Sequence, residues 1–331
     1  MHRRLATLLT ALALALTACG GGDGSVLTVY SGRNQELIGP LFDQFQEETG
    51  IRLQVRYADS IDLAATLREE GSNSPADVFV AVDPASLGSV AAAGLLQPLP
   101  ASVLQRVPAA FSDRDGRWVG ISGRVRSVVY DSTVVGAGDL PTDLAGFTSP
   151  EWRGRLAIAP TNGSFVAMVA AMILLDGEEA TREWLEGIAA NRPATYPRNS
   201  VIVEAVNGGE AEVGLVNHYY LLRLRAEVGD TAAAGHFLHG GAGALMMPSG
   251  AGILATSAHP EAATRLIEFL LSAEAQQYFV EETFEYPMVA GIEPHPILPP
   301  LDDLSLPDLG LSDLAGVLDL ATDLIAAAGL L

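Results

Sequence analysis

Lysine is missing altogether: every one of the 19 basic residues in this 331-residue chain is an arginine. A phosphate-binding loop built on lysine and a Schiff-base lysine are both excluded by that absence. Cysteine occurs once, at Cys19, so no disulfide can form within the chain. Positive charge is scarce, because 40 acidic residues set the net charge at −21. Such a surface favours solubility and argues against nucleic acid or an anionic membrane face as partner. Aromatic residues reach only 6%, with three tryptophans, Trp118, Trp152 and Trp184. A sugar or polyamine site, which asks for stacked tryptophans or carboxylates, has little to build on. Enzyme signatures fail as well: no G-x-S-x-G elbow, H-E-x-x-H helix, Walker A loop or G-x-G-x-x-G fingerprint occurs. His236 and His239 have the spacing of a metal pair but lack further ligands nearby. Glu47-Glu48, Glu69-Glu70 and Glu281-Glu282 read as solvated helix faces, so no acid–base pair is nominated.

What is present begins with an N-terminal address. Met1-His2-Arg3-Arg4 is a short basic stretch, and Leu5 to Leu16 is an apolar run too short to span a bilayer. Leu16-Thr17-Ala18-Cys19 and a glycine-rich tether to Ser25 follow. This arrangement resembles a bacterial lipoprotein signal: residues 1–18 are removed, and Cys19 carries a lipid that holds an exported domain at the outer face of the cytoplasmic membrane.

The remainder is 49% hydrophobic by the composition of the whole chain, enough for a substantial core and two domains. Val26 to Tyr30 reads as a strand and Glu36 to Thr49 as a helix stopped at Gly50. Ile51 to Tyr57 alternates with period two, Asp62 to Glu70 is helical, and Ala76 to Val82 is a strand buried on both faces. The pattern returns with a strand at Arg155 to Ile158 and helices at Phe165 to Leu175, Ala180 to Ala190 and Val201 to Val206. A strand at Val213 to Val216 follows, and Pro260 opens one long amphipathic helix to about Glu281. Alternation of this kind specifies α/β layers. Glycine-rich stretches at Gly123 and Gly240 to Gly243 fall where the chain can cross between two lobes. The division reads as residues 26–122 with about 247–300 in a first lobe, and 123–246 with about 301–331 in a second.

Asn217-His218-Tyr219-Tyr220 follows a buried strand. Taken alone, the adjacent tyrosines are compatible with simple packing, one ring in and one out. The chain resembles the ferric-iron-binding proteins of bacterial ABC importers in a series of segments: Val29-Tyr30-Ser31-Gly32, Glu69 to Phe79, Ser122-Gly123-Arg124-Val125-Arg126, Ala159 to Phe165, Asn199-Ser200-Val201, Asn217 to Tyr220 and Glu285-Tyr286-Pro287. The likeness runs from about Leu27 to the C-terminus.

This resemblance implies a two-lobe periplasmic-binding-protein fold of type II, with a ligand cleft between lobes joined by crossing strands. It implies no catalysis, a monomer, and ABC permease subunits with their ATPase as partners. Tyr219 and Tyr220 become phenolate ligands of Fe³⁺, and Asn162, Gly163, Ser164, Asn199 and Asn217 bind a phosphate- or carbonate-like synergistic anion. Independently, Asn162-Gly163-Ser164 before an apolar helix offers backbone N–H groups to an anion. The first lobe departs from the family pattern. Asn34 stands where relatives carry His, Val82 where they carry Glu, with Asp83 beside it, and Phe165 where others carry a third tyrosine. Asn34 and Asp83 are the remaining weak candidates there. A metal–anion complex or a chelate, another oxyanion on the same fold, a two-lobe sensor and a secreted α/β enzyme are the alternatives.

Overall fold

The computed structural model describes residues 26–331; Cys19 and the export signal read from the sequence lie outside the described residues. The first half of the chain lays down β1 (Val26–Ser31), α1 (Gln35–Thr49), β2 (Arg52–Tyr57), α2 (Ser60–Glu70), β3 (Val78–Ala81), α3 (Pro84–Ala92), the short α4 (Ala101–Leu104) and the long β4 (Trp118–Asp131). Then come β5 (Leu156–Ile158), α5 (Gly163–Asp176), α6 (Glu178–Ala190), β6 (Ala194–Thr195), α7 (Asn199–Asn207), β7 (Val213–Asn217), α8 (Tyr219–Val228) and β8 (Ala233–His236). The chain closes with β9 (Met246–Ile253), α9 (Pro260–Leu270), α10 (Ala273–Glu281) and α11 (Leu318–Ala327).

Hydrogen-bonded strands run in the order β2-β1-β3-β9-β4-β7-β5-β6, with β8 also on β4. β4 makes this path continuous. Trp118 to Val125 pairs antiparallel with β9, and Arg126 to Tyr130 pairs antiparallel with β7. One strand therefore belongs to both lobes, and the handover falls between Val125 and Arg126. The first lobe adds parallel β1, β2 and β3; the second adds parallel β5, β6 and β7. This is a two-lobe α/β architecture hinged on crossing strands.

Local sequence explains most elements. α1 buries Ile38, Leu41, Phe42 and Phe45, a stripe at helical spacing, and Gly50 ends it in the left-handed region at φ 70°. α5 is buried nearly all round, as its apolar run requires. The single long helix read from Pro260 to Glu281 is instead two. Ser272 takes an extended conformation and its side chain accepts from the Ala275 amide, so it caps α10 where α9 would have continued. The crossing near Gly240 to Gly243 is a short helical turn; the crossing segments themselves are β4 and β9, which sequence periodicity did not single out.

One core cluster packs α1, α9 and α10 around Leu27, Val29, Val78 and Val80. A larger one runs from Phe79 and Leu87 to Phe165, Trp184 and Ile188, and the C-terminal segment contributes Leu311, Leu314, Ala321 and Ile325 to it. Leu311–Val317 packs on both α3 and α5, and α11 packs on α5. The C-terminal tail is thus a strap touching both lobes.

Candidate functional site

In each lobe the parallel strands end at the cleft, and the helix after each strand begins there. Ligand sites of open α/β sheets form at this carboxyl edge. α1, α2 and α3 start after β1, β2 and β3; α5, α7 and α8 start after β5, β6 and β7. The cavity between them, about 1110 Å³, is lined by residues from all six starts, among them Asn34, Ser60, Asp83, Ser164, Asn199 and Tyr219. Helix N-termini carry partial positive charge, so the site is biased toward anions before any side chain is counted.

All nine candidates from the described part of the chain line this one cavity: Asn34, Asp83, Asn162, Gly163, Ser164, Asn199, Asn217, Tyr219 and Tyr220. The tyrosine rings stack, with centroids 4.1 Å apart and planes inclined by 30°. Tyr219 is buried and Tyr220 half-buried. Burial, with the neighbouring Tyr220 oxygen and the Glu285 carboxylate, pushes the Tyr219 hydroxyl well above its ordinary range, while Arg124 pulls the other way.

His218 lies edge-on to Tyr219, ring centroids 6.2 Å apart, and is not among the residues lining the cavity. Its Nδ1 accepts from the Val125 amide at 3.1 Å, and its Nε2 lies 2.8 Å from the Phe284 carbonyl, to which the Nε2–H tautomer donates. Burial lowers its pKa to about 4, so the ring is neutral in ordinary buffers. Phe284 holds that carbonyl in place from a left-handed conformation at φ 56°.

The polar cradle is a single network. The Asn162 side chain caps α5, accepting from the Ser164 amide at 3.1 Å and the Ser164 hydroxyl at 2.6 Å. Asn199 Nδ2 donates to Asn162 Oδ1 at 3.2 Å and to Ser164 Oγ at 3.0 Å. The Asn199 carbonyl oxygen is buried without a partner. Gly163 opens α5 and leaves its amide end uncrowded; a Cβ there would come no closer than 3.9 Å to Ile61. Arg126, which sequence reasoning passed over, ties the network together. One of its terminal nitrogens donates to both Ser164 Oγ and Asn217 Oδ1 at 3.1 Å. Arg126 belongs to the segment Ser122-Gly123-Arg124-Val125-Arg126, so its presence was visible but its burial was not.

The first-lobe candidates do other work. Asn34 Oδ1 accepts from the Glu36 amide at 3.0 Å and caps α1. Asp83 caps α3, accepting from the Ser86 amide at 2.7 Å and the Ser86 hydroxyl at 2.9 Å, and burial pushes its pKa up. Phe165 lies in the core against Trp184, with centroids 6.4 Å apart. Among the described residues no group of three or more His, Cys, Asp or Glu side chains is placed to hold a metal ion.

An ion cluster of Arg33, Arg124 and Glu285 also lines the cavity. Arg33 pairs with Glu285 through two nitrogens, at 3.1 and 2.8 Å, and also reaches Ser122 and Ser249 on the crossing strands. Burial alone would raise the Glu285 pKa, but Arg33 and Arg124 outweigh it and hold the carboxyl below its ordinary value.

A family model described as bacterial extracellular solute-binding protein matches residues 73–306. The chain belongs to that family. This solute-binding protein is 35% identical over 332 aligned positions to the major ferric iron-binding protein of Neisseria meningitidis, covering 96% of this chain and 97% of the relative. Iron-bound HitA from Pseudomonas aeruginosa superposes with a TM-score of 0.88 at 34% identity, over 92% of this chain and 99% of that one. Trichodesmium IdiA, solved with iron and citrate ligands, superposes with a TM-score of 0.81 at 28% identity, over 93% and 100%. The two-lobe reading from sequence agrees with these structures. A solute-binding family also sets the chain among transport binding proteins rather than enzymes. No helix among the described residues is long and apolar enough to cross a membrane.

Proposed function

We propose that this solute-binding protein captures ferric iron together with an anion and delivers it to the permease of an ABC importer on the outer side of the cytoplasmic membrane. The observation that carries the reading is the stacked Tyr219–Tyr220 pair at the edge of a cradle of helix N-termini and amide side chains. Fe³⁺ is a hard cation suited to anionic oxygen, and its charge draws the proton off a phenol that would otherwise keep it. Two phenolates leave one positive charge, which an anion at Asn162, Gly163, Ser164, Asn199 and Asn217 balances. Relatives named as ferric iron-binding proteins, alignable over almost the whole chain, support the same cargo. Asn34 and Asp83 serve as caps in this reading and contribute at most a weak contact.

In this reading residues 26–122 with about 247–300 form the first lobe and 123–246 with about 301–331 the second, the C-terminal segment also packing on α3 of the first. Closure about β4 and β9 buries the loaded ion. The protein works as a monomer, held at the membrane by lipid on Cys19.

Titration with ferric citrate tests the cargo. Wild-type protein is expected to develop phenolate-to-iron charge-transfer colour and a rise in melting temperature, and the double variant Tyr219→Phe/Tyr220→Phe should lose both. Each hydroxyl removed changes apo stability by no more than about 0.5–1.5 kcal/mol, the worth of one hydrogen bond. A ferric-induced rise in melting temperature that survives in the double variant sinks the iron reading.

A further inference from the structure

Each parallel strand of the first lobe hands over to a helix at the cleft, and each handover places a short polar residue at the helix N-cap: Asn34 before α1, Asp59 before α2 and Asp83 before α3. Two of these side chains are spent on the cap. Asn34 accepts from the Glu36 amide, and both oxygens of Asp83 are taken by Ser86. Asp59 sits in extended backbone, φ −61° and ψ 142°, but its side chain makes no cap bond. Carboxylates at this position ordinarily cap, because the first helix amides need an acceptor.

The carboxylates lining the cavity are Asp59, Asp62, Asp83 and Glu285. Asp83 is the α3 cap, and Glu285 is doubly bonded to Arg33. Asp59 and Asp62 are exposed and enter no salt bridge among the described residues. The start of α2 also stands against the opposite wall. A Cβ on Gly163 would lie 3.9 Å from Ile61 Cδ1, so the first turn of α2 reaches the first residue of α5, between Asn162 and Ser164. On that wall Asn199 is 1% exposed, and its Oδ1 is buried without a donor. A buried carbonyl oxygen with no partner is costly and calls for a cation or a proton donor. A free carboxylate on one wall, with two phenols and an orphaned carbonyl oxygen on the other, is the all-oxygen set that suits a hard cation.

We propose that Asp59 is the first lobe's ligand to the iron, so that the metal is gripped from the start of α2 as well as by Tyr219 and Tyr220. This rests on the iron reading above. Two phenolates and one carboxylate balance the charge of Fe³⁺. The anion then completes the coordination sphere, its own charge met by the helix N-termini of the cradle. Asp62, three residues on in the first turn of α2, acts on the ion by charge alone. A ligand on each wall makes the ion itself the link that closes the lobes.

The test uses the purified exported chain, with iron supplied as ferrous sulfate oxidised by air in bicarbonate buffer and affinity read by competition against citrate. Asp59→Asn keeps an equally good helix cap and should leave the apo melting temperature unchanged. It should nevertheless bind iron at least about 10-fold more weakly, the least that loss of a group at a metal centre costs. Its phenolate-to-iron band should move to longer wavelength, because a neutral donor in place of an anionic one leaves the metal poorer in electrons. Asp59→Glu should recover the band position in part. Small-angle X-ray scattering should show iron contracting the wild type more than Asp59→Asn. Asp62→Asn should weaken binding by less than about threefold with no band shift, and that loss should vanish in about 0.5 M salt, which screens exposed charges. Equal losses in the two Asn variants with the band unmoved, or unchanged affinity in Asp59→Asn, overturn this inference and leave the iron reading standing. No colour in the wild type overturns both.

Discussion

Arg126 and Asn217 face each other across the β4–β7 register, and the guanidinium donates to the amide oxygen at 3.1 Å. Cross-strand neighbours of this kind bring together residues 91 positions apart in sequence. The bond orients Asn217 so that its amide end, two residues before Tyr219, is directed by the hinge strand itself. The polar network of Ser164 and Asn217 is thus bonded directly to the strand shared by both lobes.

The Arg33–Glu285 pair makes the first prediction. Both side chains are 2% exposed and doubly bonded to each other, so removing one charge strands the other in a poorly solvated place. Glu285→Gln should cost about 3–5 kcal/mol of unfolding free energy. The double variant Arg33→Met/Glu285→Met should regain most of that. Urea unfolding measures both, and a single variant within about 1 kcal/mol of wild type would contradict the burial argument.

His218 makes the apo protein acid-sensitive. Its folded pKa of about 4 lies below the ordinary 6.5, so the unfolded chain binds this proton first. Stability is full above about pH 6.5 and is lost as pH falls toward 4, by as much as about 3 kcal/mol. Glu285, with its pKa held low, adds a second loss at still lower pH, beginning below the ordinary carboxyl value. His218→Phe should start less stable, because two hydrogen bonds vanish, but its melting temperature should vary less between those pH values. An equally steep acid dependence in that variant would mean that other groups dominate.

Ser164 is the node of the polar network proposed to hold the anion, bonded to Asn162, Asn199 and Arg126. Ser164→Ala should weaken anion-assisted iron binding about 10- to 100-fold while altering the apo fold little, since the cap on α5 remains with Asn162. Competition for iron against a coloured chelator, with and without added anion, reads this directly. The same loss in anion-free buffer would assign Ser164 to folding instead.

Cys19→Ala should move the protein from the membrane to the soluble fraction of a bacterial host, with iron binding unchanged. Wild-type protein that fractionates as fully soluble and carries no lipid would remove the anchor.

Much of the scaffold is written in local order along the chain. The face Leu41, Phe42 and Phe45 of α1, the buried strand at Val78, and the polar triplet before the apolar run at Phe165 obey short periods and helix-start rules and lie where those rules put them; Leu37, read onto the same face, is only half-buried, and Ile38 takes the buried place. The tyrosine pair was legible as a pair, though the stacking of its rings was not. Asn34 and Asp83 show the limit: a short polar side chain after a strand is equally a ligand or a cap, and only the distance to Glu36 and Ser86 amides separates the two. The break at Ser272 was settled by that same capping competition. Arg124, Arg126 and Glu285 were visible in the segments that carry the resemblance, but their burial and pairing were not. Their roles arise because β4 pairs with β9 and then β7, contacts made across about a hundred residues, and because burial turns an ordinary charge into an expensive one that must find a partner. Sequence determined which helices start at the cleft; the tertiary structure decided which charges they surround, since long-range strand pairing leaves no local period to read.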